Sequence, residues 1–217
     1  MDIKWFGQSC FEIKNKNVTV ITDPYNDDIG LKLPKLKANI VTVSHNHYDH
    51  NNVARVEKAN PGKEVFVADT PGGYEVEGVL IEGISTFHDD KKGAGLGLNT
   101  IFEMKINGLT VCHLGDLGVS LTDEQVDNLD DIDILFVPVG GTYTLDAKGA
   151  VEVIEQIEPR MVIPMHYKTE GLNIKELEGV EKFIKELGVD AEKMDSLKIE
   201  KKDLPQEGMR LVILNKV

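Results

Sequence analysis

The chain has only two cysteines among its 217 residues, Cys10 and Cys112, and no Cys-x-x-Cys pair. This excludes a disulfide scaffold and predicts reduced, buried thiols of the kind found in cytoplasmic proteins. No apolar run approaches the roughly 18 residues that a membrane span needs, and the N-terminus lacks the basic and apolar segments of a signal peptide. We therefore expect a cytoplasmic protein with no membrane partner.

Basic residues are also scarce, at 24 Lys and Arg against 37 Asp and Glu, which gives a formal net charge of −13. Such a surface repels a phosphate backbone and an anionic membrane alike. The composition therefore predicts a protein that does not bind nucleic acid. Its partner is expected to be a small-molecule substrate, with a homo-oligomer left open.

Strand signals alternate with helical ones along the chain, and no linker divides it. This predicts one α/β domain over residues 1–217. Residues 39–44 and 133–138 are continuous apolar runs typical of buried strands, and 10–13 with 18–22 form a predicted hairpin. Further strands are predicted at 65–67, 79–81, 101–106, 109–112 and 210–214.

Helical patterns occur at residues 51–59, 122–129, 146–157 and 174–187. Thr122 and Gln125 stand in the register of a capping box, which predicts a helix start. Gly188 follows an apolar pattern with helical spacing and is a typical residue just after a helix end.

Three of the six histidines lie in the segment His45-Asn46-His47-Tyr48-Asp49-His50, directly after a predicted buried strand. In an extended segment His45 and His47 point the same way and can bind one ion. Asp49 and His50 come after the chain turns, where they can face a second ion nearby. The spacing predicts a site for two metal ions.

The other histidines, His88, His113 and His166, stand singly in apolar surroundings, where a buried structural histidine is the common interpretation. The histidine segment alone cannot close two coordination shells, however, and distant ligands converge at strand ends. These residues are therefore candidates for the missing ligands.

His45-x-His47-x-Asp49-His50, His88, Gly115-Asp116 and Met165-His166 resemble, in order, the five metal motifs of the metallo-β-lactamase superfamily of hydrolases. More narrowly, the sequences at residues 5–7, 9–11, 22–24, 113–118, 138–143 and 163–167 resemble the branch that contains L-ascorbate-6-phosphate lactonase. The resemblance runs from residue 5 to residue 167. It implies a four-layer αββα sandwich with the metal site at one edge.

The resemblance also implies which residues bind two divalent metal ions. Its pattern assigns His45, His47 and His88 to the first ion, Asp49, His50 and His166 to the second, and Asp116 to a bridge between them. Nitrogen and oxygen ligands of this kind suit Zn²⁺ and also accept Mn²⁺, Fe²⁺ or Ni²⁺. A bridging water, with its pKa lowered to about 7, is the expected nucleophile. Asp49 is then the candidate catalytic residue that orients this water or relays its proton.

Two positions leave alternatives open. His113 lies three residues before Asp116 and competes with His88 as a ligand, but the family pattern favours His88 and makes His113 a supporting or core residue. Close relatives often have Gly-His-Ser-Cys-Phe where this chain has Gly7-Gln8-Ser9-Cys10-Phe11. Gln8 cannot act as acid or base, so it either changes the reaction or only hydrogen-bonds a neighbouring loop.

Three residues near the predicted ligands have weaker signals. Asp23 follows a strand and is either a hydrogen-bond partner of a ligating histidine or a turn residue. Tyr143 and Lys168 follow buried strands and are candidates to bind the substrate, the alternatives being packing or solvent-facing roles.

Taken together, these patterns predict a metal-dependent hydrolase that uses a hydroxide bound between two metal ions. The expected substrate is a small ester, lactone or phosphate-containing compound. A phosphodiesterase of the same fold is the second hypothesis. A metal-binding protein without turnover is the third, although structural zinc sites are usually mononuclear, closed and rich in thiolate.

Overall fold

The computed structural model describes residues 1–217. It contains sixteen strands: β1 (Asp2–Gly7), β2 (Cys10–Lys14), β3 (Thr19–Thr22), β4 (Leu36–Ala38), β5 (Ile40–Thr42), β6 (Val56–Lys58), β7 (Phe66–Ala68), β8 (Gly72–Val76), β9 (Val79–Phe87), β10 (Leu98–Ile106), β11 (Leu109–His113), β12 (Ile134–Pro138), β13 (Met161–Met165), β14 (Ala191–Met194), β15 (Leu197–Lys198) and β16 (Arg210–Leu214). The α-helices are α1 (Asp123–Asp127), α2 (Ala147–Ile157) and α3 (Val180–Leu187), and 3₁₀ turns lie at Asp27–Ile29, Val53–Arg55 and Lys201–Asp203.

Two large sheets form the body of the molecule. One has six strands in the order β15-β1-β2-β3-β5-β7, and the other has eight in the order β14-β16-β13-β12-β11-β10-β9-β8. Apolar side chains from both sheets join in one core, where the ring of Phe11 on β2 stacks on Phe136 of β12 with 4.2 Å between centroids. This is the predicted sandwich of two packed sheets.

Different structures cover the two outer faces. The α-helices follow strands of the eight-stranded sheet, and α2 buries Ala150 and Val153 in the shared core. The six-stranded sheet is covered by irregular chain, 3₁₀ turns and the small β4-β6 sheet, which bury Tyr25, Ile29 and Leu33 in a second apolar cluster. None of the helices has both the length and the apolar character needed to cross a membrane.

The prediction of a helix at residues 51–59 is wrong. This segment makes one 3₁₀ turn and then forms β6, which pairs in parallel with β4. The pairing buries Val56, and the Asn52 side chain donates a hydrogen bond to the Tyr25 carbonyl. These tertiary contacts override an apolar spacing that also suits a helix.

The predicted helix at 174–187 begins six residues late, at Val180. Residues 174–179 cannot continue it because their backbone is used elsewhere: the Glu178 N–H donates to the Gly140 carbonyl, and the Glu178 carbonyl accepts from Lys168. The end is as predicted, since Gly188 adopts the left-handed conformation there. The helices predicted at 122–129 and 146–157 are confirmed, the first with its Thr122–Gln125 capping box.

Within each sheet, the strands that precede the candidate residues run in one direction. β3 and β5 are parallel neighbours in one sheet, and β11, β12 and β13 are parallel neighbours in the other. β9 runs the same way as β11 because both are antiparallel to β10 between them. Loops that follow such strands emerge at a common edge of the sandwich, so this topology brings distant residues together.

Candidate metal centre

Seven side chains from four loops meet at this edge. The loop after β5 supplies four of them, and β9, β11 and β13 are each followed by one more. They are the seven residues predicted as ligands: His45, His47, Asp49, His50, His88, Asp116 and His166. Their ligand atoms form three overlapping groups in which all atoms lie within 4.8 Å of one another.

Asp116 lies at the centre of the cluster. Its Oδ2 is 3.1 Å from His166 Nε2, 3.2 Å from His50 Nε2, 3.3 Å from His88 Nε2 and 3.8 Å from His45 Nε2. A carboxylate surrounded by imidazole nitrogens from both sides has the position expected of a bridge between two ions.

The other six side chains are covered by two groups of three, which the group of His45, His50 and Asp116 connects. His45 Nε2 lies 2.9 Å from His47 Nδ1, and these two nitrogens form a compact group with His88. Asp49, His50 and His166 form the second group. Each group has three donors, as catalytic zinc sites do.

Asp23 orients two of the imidazole rings, that of His50 directly and that of His45 through Ser44. Its buried carboxylate accepts hydrogen bonds from the Ser44 N–H at 2.7 Å, the Ser44 hydroxyl at 2.6 Å and His50 Nδ1 at 3.0 Å. Since the Ser44 hydroxyl donates to Asp23, its oxygen accepts from His45 Nδ1 at 2.9 Å. His45 and His50 therefore keep a proton on Nδ1 and present Nε2 to the cluster. The geometry agrees with the predicted role of Asp23 beside a histidine.

The charges in this buried cluster are strongly coupled. Burial opposes ionisation of Asp116, but the charges of His166 and His50 hold the pKa of its carboxyl well below the usual value. Burial likewise opposes protonation of His50, but Asp116 and Asp49 raise its pKa well above the usual value. Burial and then the charge of His50 lower the pKa of His45 to about 3. The ionised carboxylates are thus stabilised by positive charge inside the cluster, and a divalent ion would supply such charge.

Two atoms of the predicted ligands also support metal binding here. His50 Nε2 and Asp116 Oδ1 are buried and have no hydrogen-bond partner in the protein. Buried polar atoms are normally paired, so unpaired ones on side chains of this cluster suit metal coordination. The donor set of five imidazoles and two carboxylates fits divalent transition metals.

Residues that the sequence analysis missed hold the Asp116 loop in place. The buried Asn99 side chain accepts from the Asp116 N–H at 2.9 Å and donates to the Leu114 carbonyl at 2.9 Å. Gly115 between them has φ +57, and a Cβ there would collide with Asn99 and Ser44. Asn99 lies just before the strand predicted at residues 101–106, and no sequence motif singles it out.

His113 does not join the cluster. It is fully buried, with Nε2 3.0 Å from the Ser9 carbonyl and Nδ1 accepting from the Gly115 N–H at 3.2 Å. Both ring nitrogens are therefore used by the backbone. This geometry favours His88 over His113 as a ligand and gives His113 a supporting role.

Gln8 lies beside the cluster and hydrogen-bonds one of its carboxylates. Its side-chain Nε2 donates to Asp49 Oδ2 at 2.9 Å, and both residues are buried. Its carbonyl accepts from the His166 N–H at 3.1 Å. Gln8, Asp23 and His166 all have positive φ, at 51°, 38° and 52°. Such backbone conformations each cost about 1–3 kcal/mol in non-glycine residues and concentrate at functional sites.

A cavity of about 470 Å³ opens above the cluster. Its walls contain both metal-centre residues and outer residues: His47, Tyr48, Asp49, His88, Leu96, Asp116, Tyr143, His166, Asn173, Ile174 and Lys175. Tyr143, one of the two candidate substrate-binding residues, lies in this wall. Lys168 does not line the cavity, and the one lysine that does is Lys175, which the sequence analysis missed.

Comparisons with known proteins identify the family. Residues 2–166 match the model of the Beta-lactamase superfamily domain. A UPF0173 metal-dependent hydrolase from Thermoplasma volcanium is 32% identical, with 78% of this chain and 85% of that protein covered. A second UPF0173 metal-dependent hydrolase, from Archaeoglobus fulgidus, is 28% identical, with 88% and 94% covered.

A solved structure from Thermotoga maritima extends the comparison to three dimensions. Its name places it among Zn-dependent hydrolases of the metallo-β-lactamase superfamily. It is 38% identical, has a TM-score of 0.80, and the match covers 98% of both chains. The present chain therefore belongs to the metallo-β-lactamase superfamily of metal-dependent hydrolases and, within it, to the UPF0173 family. The predicted fold class is confirmed, and the narrower resemblance to the ascorbate-phosphate lactonase branch stays a prediction.

Proposed function

We propose that this protein hydrolyses a small ester, lactone or phosphate-containing substrate with two divalent metal ions. The observation that carries the proposal is the convergence of five imidazoles and two carboxylates, with Asp116 at the centre, beside an open cavity. Structural metal sites are usually closed, so a cluster that opens to a cavity supports turnover over simple metal binding.

In this proposal each ion has its own set of ligands. His45, His47 and His88 would hold the first ion, Asp49, His50 and His166 would hold the second, and Asp116 lies where it could serve both. Zn²⁺ suits these ligands best, with Mn²⁺, Fe²⁺ and Ni²⁺ as alternatives. Two metal ions bound in this way would supply an activated water nucleophile and polarise the oxygen of the bond to be broken.

The protein's own side chains divide the remaining work. Asp49 lines the cavity and is held ionised, since His50 lowers its pKa against the effect of burial. As an ionised carboxylate it would orient the nucleophilic water or relay its proton. The Tyr143 hydroxyl is placed to donate a hydrogen bond to the substrate. Lys168 does not line the cavity, so we assign the substrate-binding role predicted for it to Lys175, which does.

The cavity wall also limits the substrate. A volume of about 470 Å³ suits a small molecule. Lys175 is exposed, forms no ion pair, and is the one lysine or arginine in the wall, so it favours a substrate with a carboxylate or phosphate group. The same lysine favours a phosphodiester as the second candidate substrate.

The test is a panel of lactones, sugar phosphates, phosphodiesters, thioesters and a β-lactam. Protein freed of metal is reconstituted separately with Zn²⁺ and Mn²⁺, and His47→Ala serves as the control. Hydrolysis of one class that depends on metal and disappears in the variant is the expected result. A protein that takes up no metal would overturn the proposal.

A further inference from the structure

Gln8 stands at the junction of two loops that carry proposed ligands of the second metal ion. Its side chain donates to the Asp49 carboxylate, and its carbonyl accepts from the His166 backbone. The same carbonyl also accepts from Trp5 Nε1 at 2.9 Å. One residue is thus tied to Asp49 by its side chain and to His166 by its backbone.

The orientation of the Gln8 amide follows from its partner. The Asp49 carboxylate can only accept, so the amide nitrogen must face it. Gln8 Oε1 is buried and has no partner in the protein. The bond to Asp49 is therefore the single hydrogen bond that the Gln8 side chain makes, and a substitution there removes this bond alone.

The backbone around Gln8 is built to maintain this contact. Gly7 and Gln8 both have positive φ, at 100° and 51°, which turns the chain sharply between β1 and β2. The Trp5 ring packs on Tyr167, with 5.0 Å between centroids, and holds the turn against the end of β13. A strained, fully buried turn that aims an amide at a carboxylate is a positioning device.

We propose that Gln8 is a positioning residue that orients Asp49 and thereby sets the affinity of the second metal site. The proposal rests on the ligand assignment of the proposed function. The Gln8 amide donates to Asp49 Oδ2, the oxygen that lies 3.3 Å from His50 Nε2, and thereby limits how the carboxylate can turn within the cluster.

The test is a stepwise cobalt titration of metal-free protein, followed by its visible absorption spectrum, in the wild type, Gln8→Leu, Gln8→Asn and Gln8→His. Leucine cannot donate a hydrogen bond, and asparagine is one methylene too short to reach. We expect both to bind the second equivalent roughly 10- to 100-fold more weakly and the first equivalent as the wild type does. Histidine carries an N–H donor and is expected to restore binding of the second equivalent.

Gln156→Leu is the matched control, since Gln156 also bonds through its amide, to Leu121, but lies on α2 away from the cluster. It should bind both equivalents normally. If Gln8→Leu does not fold, Gln8→Asn decides. Wild-type binding of both equivalents by Gln8→Leu or Gln8→Asn would overturn the positioning role alone. A wild-type protein that binds fewer than two equivalents would overturn the proposed function as well.

Discussion

Asp23→Asn is the substitution that most sharply tests how the cluster is organised. Asp23 accepts three hydrogen bonds, two from Ser44 and one from His50 Nδ1. Asparagine has nearly the same shape but only one acceptor oxygen. If that oxygen keeps the Ser44 N–H, the amide nitrogen faces His50 Nδ1, which must then accept. The His50 proton moves to Nε2, the atom that faces Asp116 at 3.2 Å.

The size of the effect follows from this change of tautomer. A proton on Nε2 must be moved before that nitrogen can bind a metal ion. Loss of such a supporting carboxylate typically weakens metal binding 10- to 100-fold, or about 1.4 to 2.8 kcal/mol, since each tenfold change is about 1.4 kcal/mol. The loss should fall mainly on the second ion, because His50 is its proposed ligand.

The assay is competition between protein and a chelating dye for Zn²⁺, with unfolding by urea measured in parallel. Asp133→Asn is the matched control: Asp133 is as deeply buried, and it bonds the Thr110 N–H and Lys201 at the opposite end of β12. This control should lose stability but keep both ions. Wild-type zinc affinity in Asp23→Asn, or an equal loss of zinc in Asp133→Asn, would refute the reasoning.

Three further predictions concern the cluster and its cavity. His88→Ala should reduce the bound metal from two ions to one by elemental analysis, whereas His113→Ala should keep two and lose about 1–3 kcal/mol of stability; the reverse pattern would exchange their roles. Lys175→Met should raise KM for an anionic substrate about fivefold, as for an exposed ion pair worth about 1 kcal/mol, and leave a neutral analogue and Lys168→Met unchanged; equal effects of both variants would remove the lysine's assigned role. Asp89 accepts four backbone N–H groups of the loop that carries Leu96, and these bonds lower its pKa to about 2. Because this pKa lies below its unfolded value, the loop should stay ordered as pH falls through 4 and loosen near 2 by amide NMR, and Asp89→Asn should loosen it already at neutral pH.

Part of the cluster was predictable because its signal is local: His45 to His50 form one short segment after an apolar strand, and Asp116 follows the strand predicted at 109–112. His88 and His166 follow no strand end that the sequence predicted, and they were implied by the resemblance instead. The parallel topology then brings these strand ends together. The grouping of these side chains therefore depends on strand direction, which a local pattern and a resemblance together could indicate.

The supporting contacts were not predictable in the same way. The bond from Gln8 to Asp49 joins residues 41 positions apart, and Asn99 reaches the Asp116 loop across 17 positions. Such partners are set by the packing of two sheets, which no local pattern encodes. The wrong helix at 51–59 has a related cause, because pairing of β6 with β4 decided between two conformations that its apolar spacing allows equally.

Lys168 and Lys175 illustrate the same limit for the substrate. Lys168 directly follows Tyr167 near a predicted ligand, but its backbone is bound to Glu178 and its side chain does not line the cavity. Lys175 lies in a segment predicted as helix, which the structure leaves irregular and turns towards the cavity. The cavity wall therefore depends on the loops rather than on the motifs.

Anomalous diffraction from crystals soaked in Zn²⁺ tests the central claim most directly. Two strong peaks per chain are expected, one among His45, His47 and His88 and the other among Asp49, His50 and His166, with Asp116 between them. A single peak, or peaks away from these side chains, would contradict the two-metal assignment.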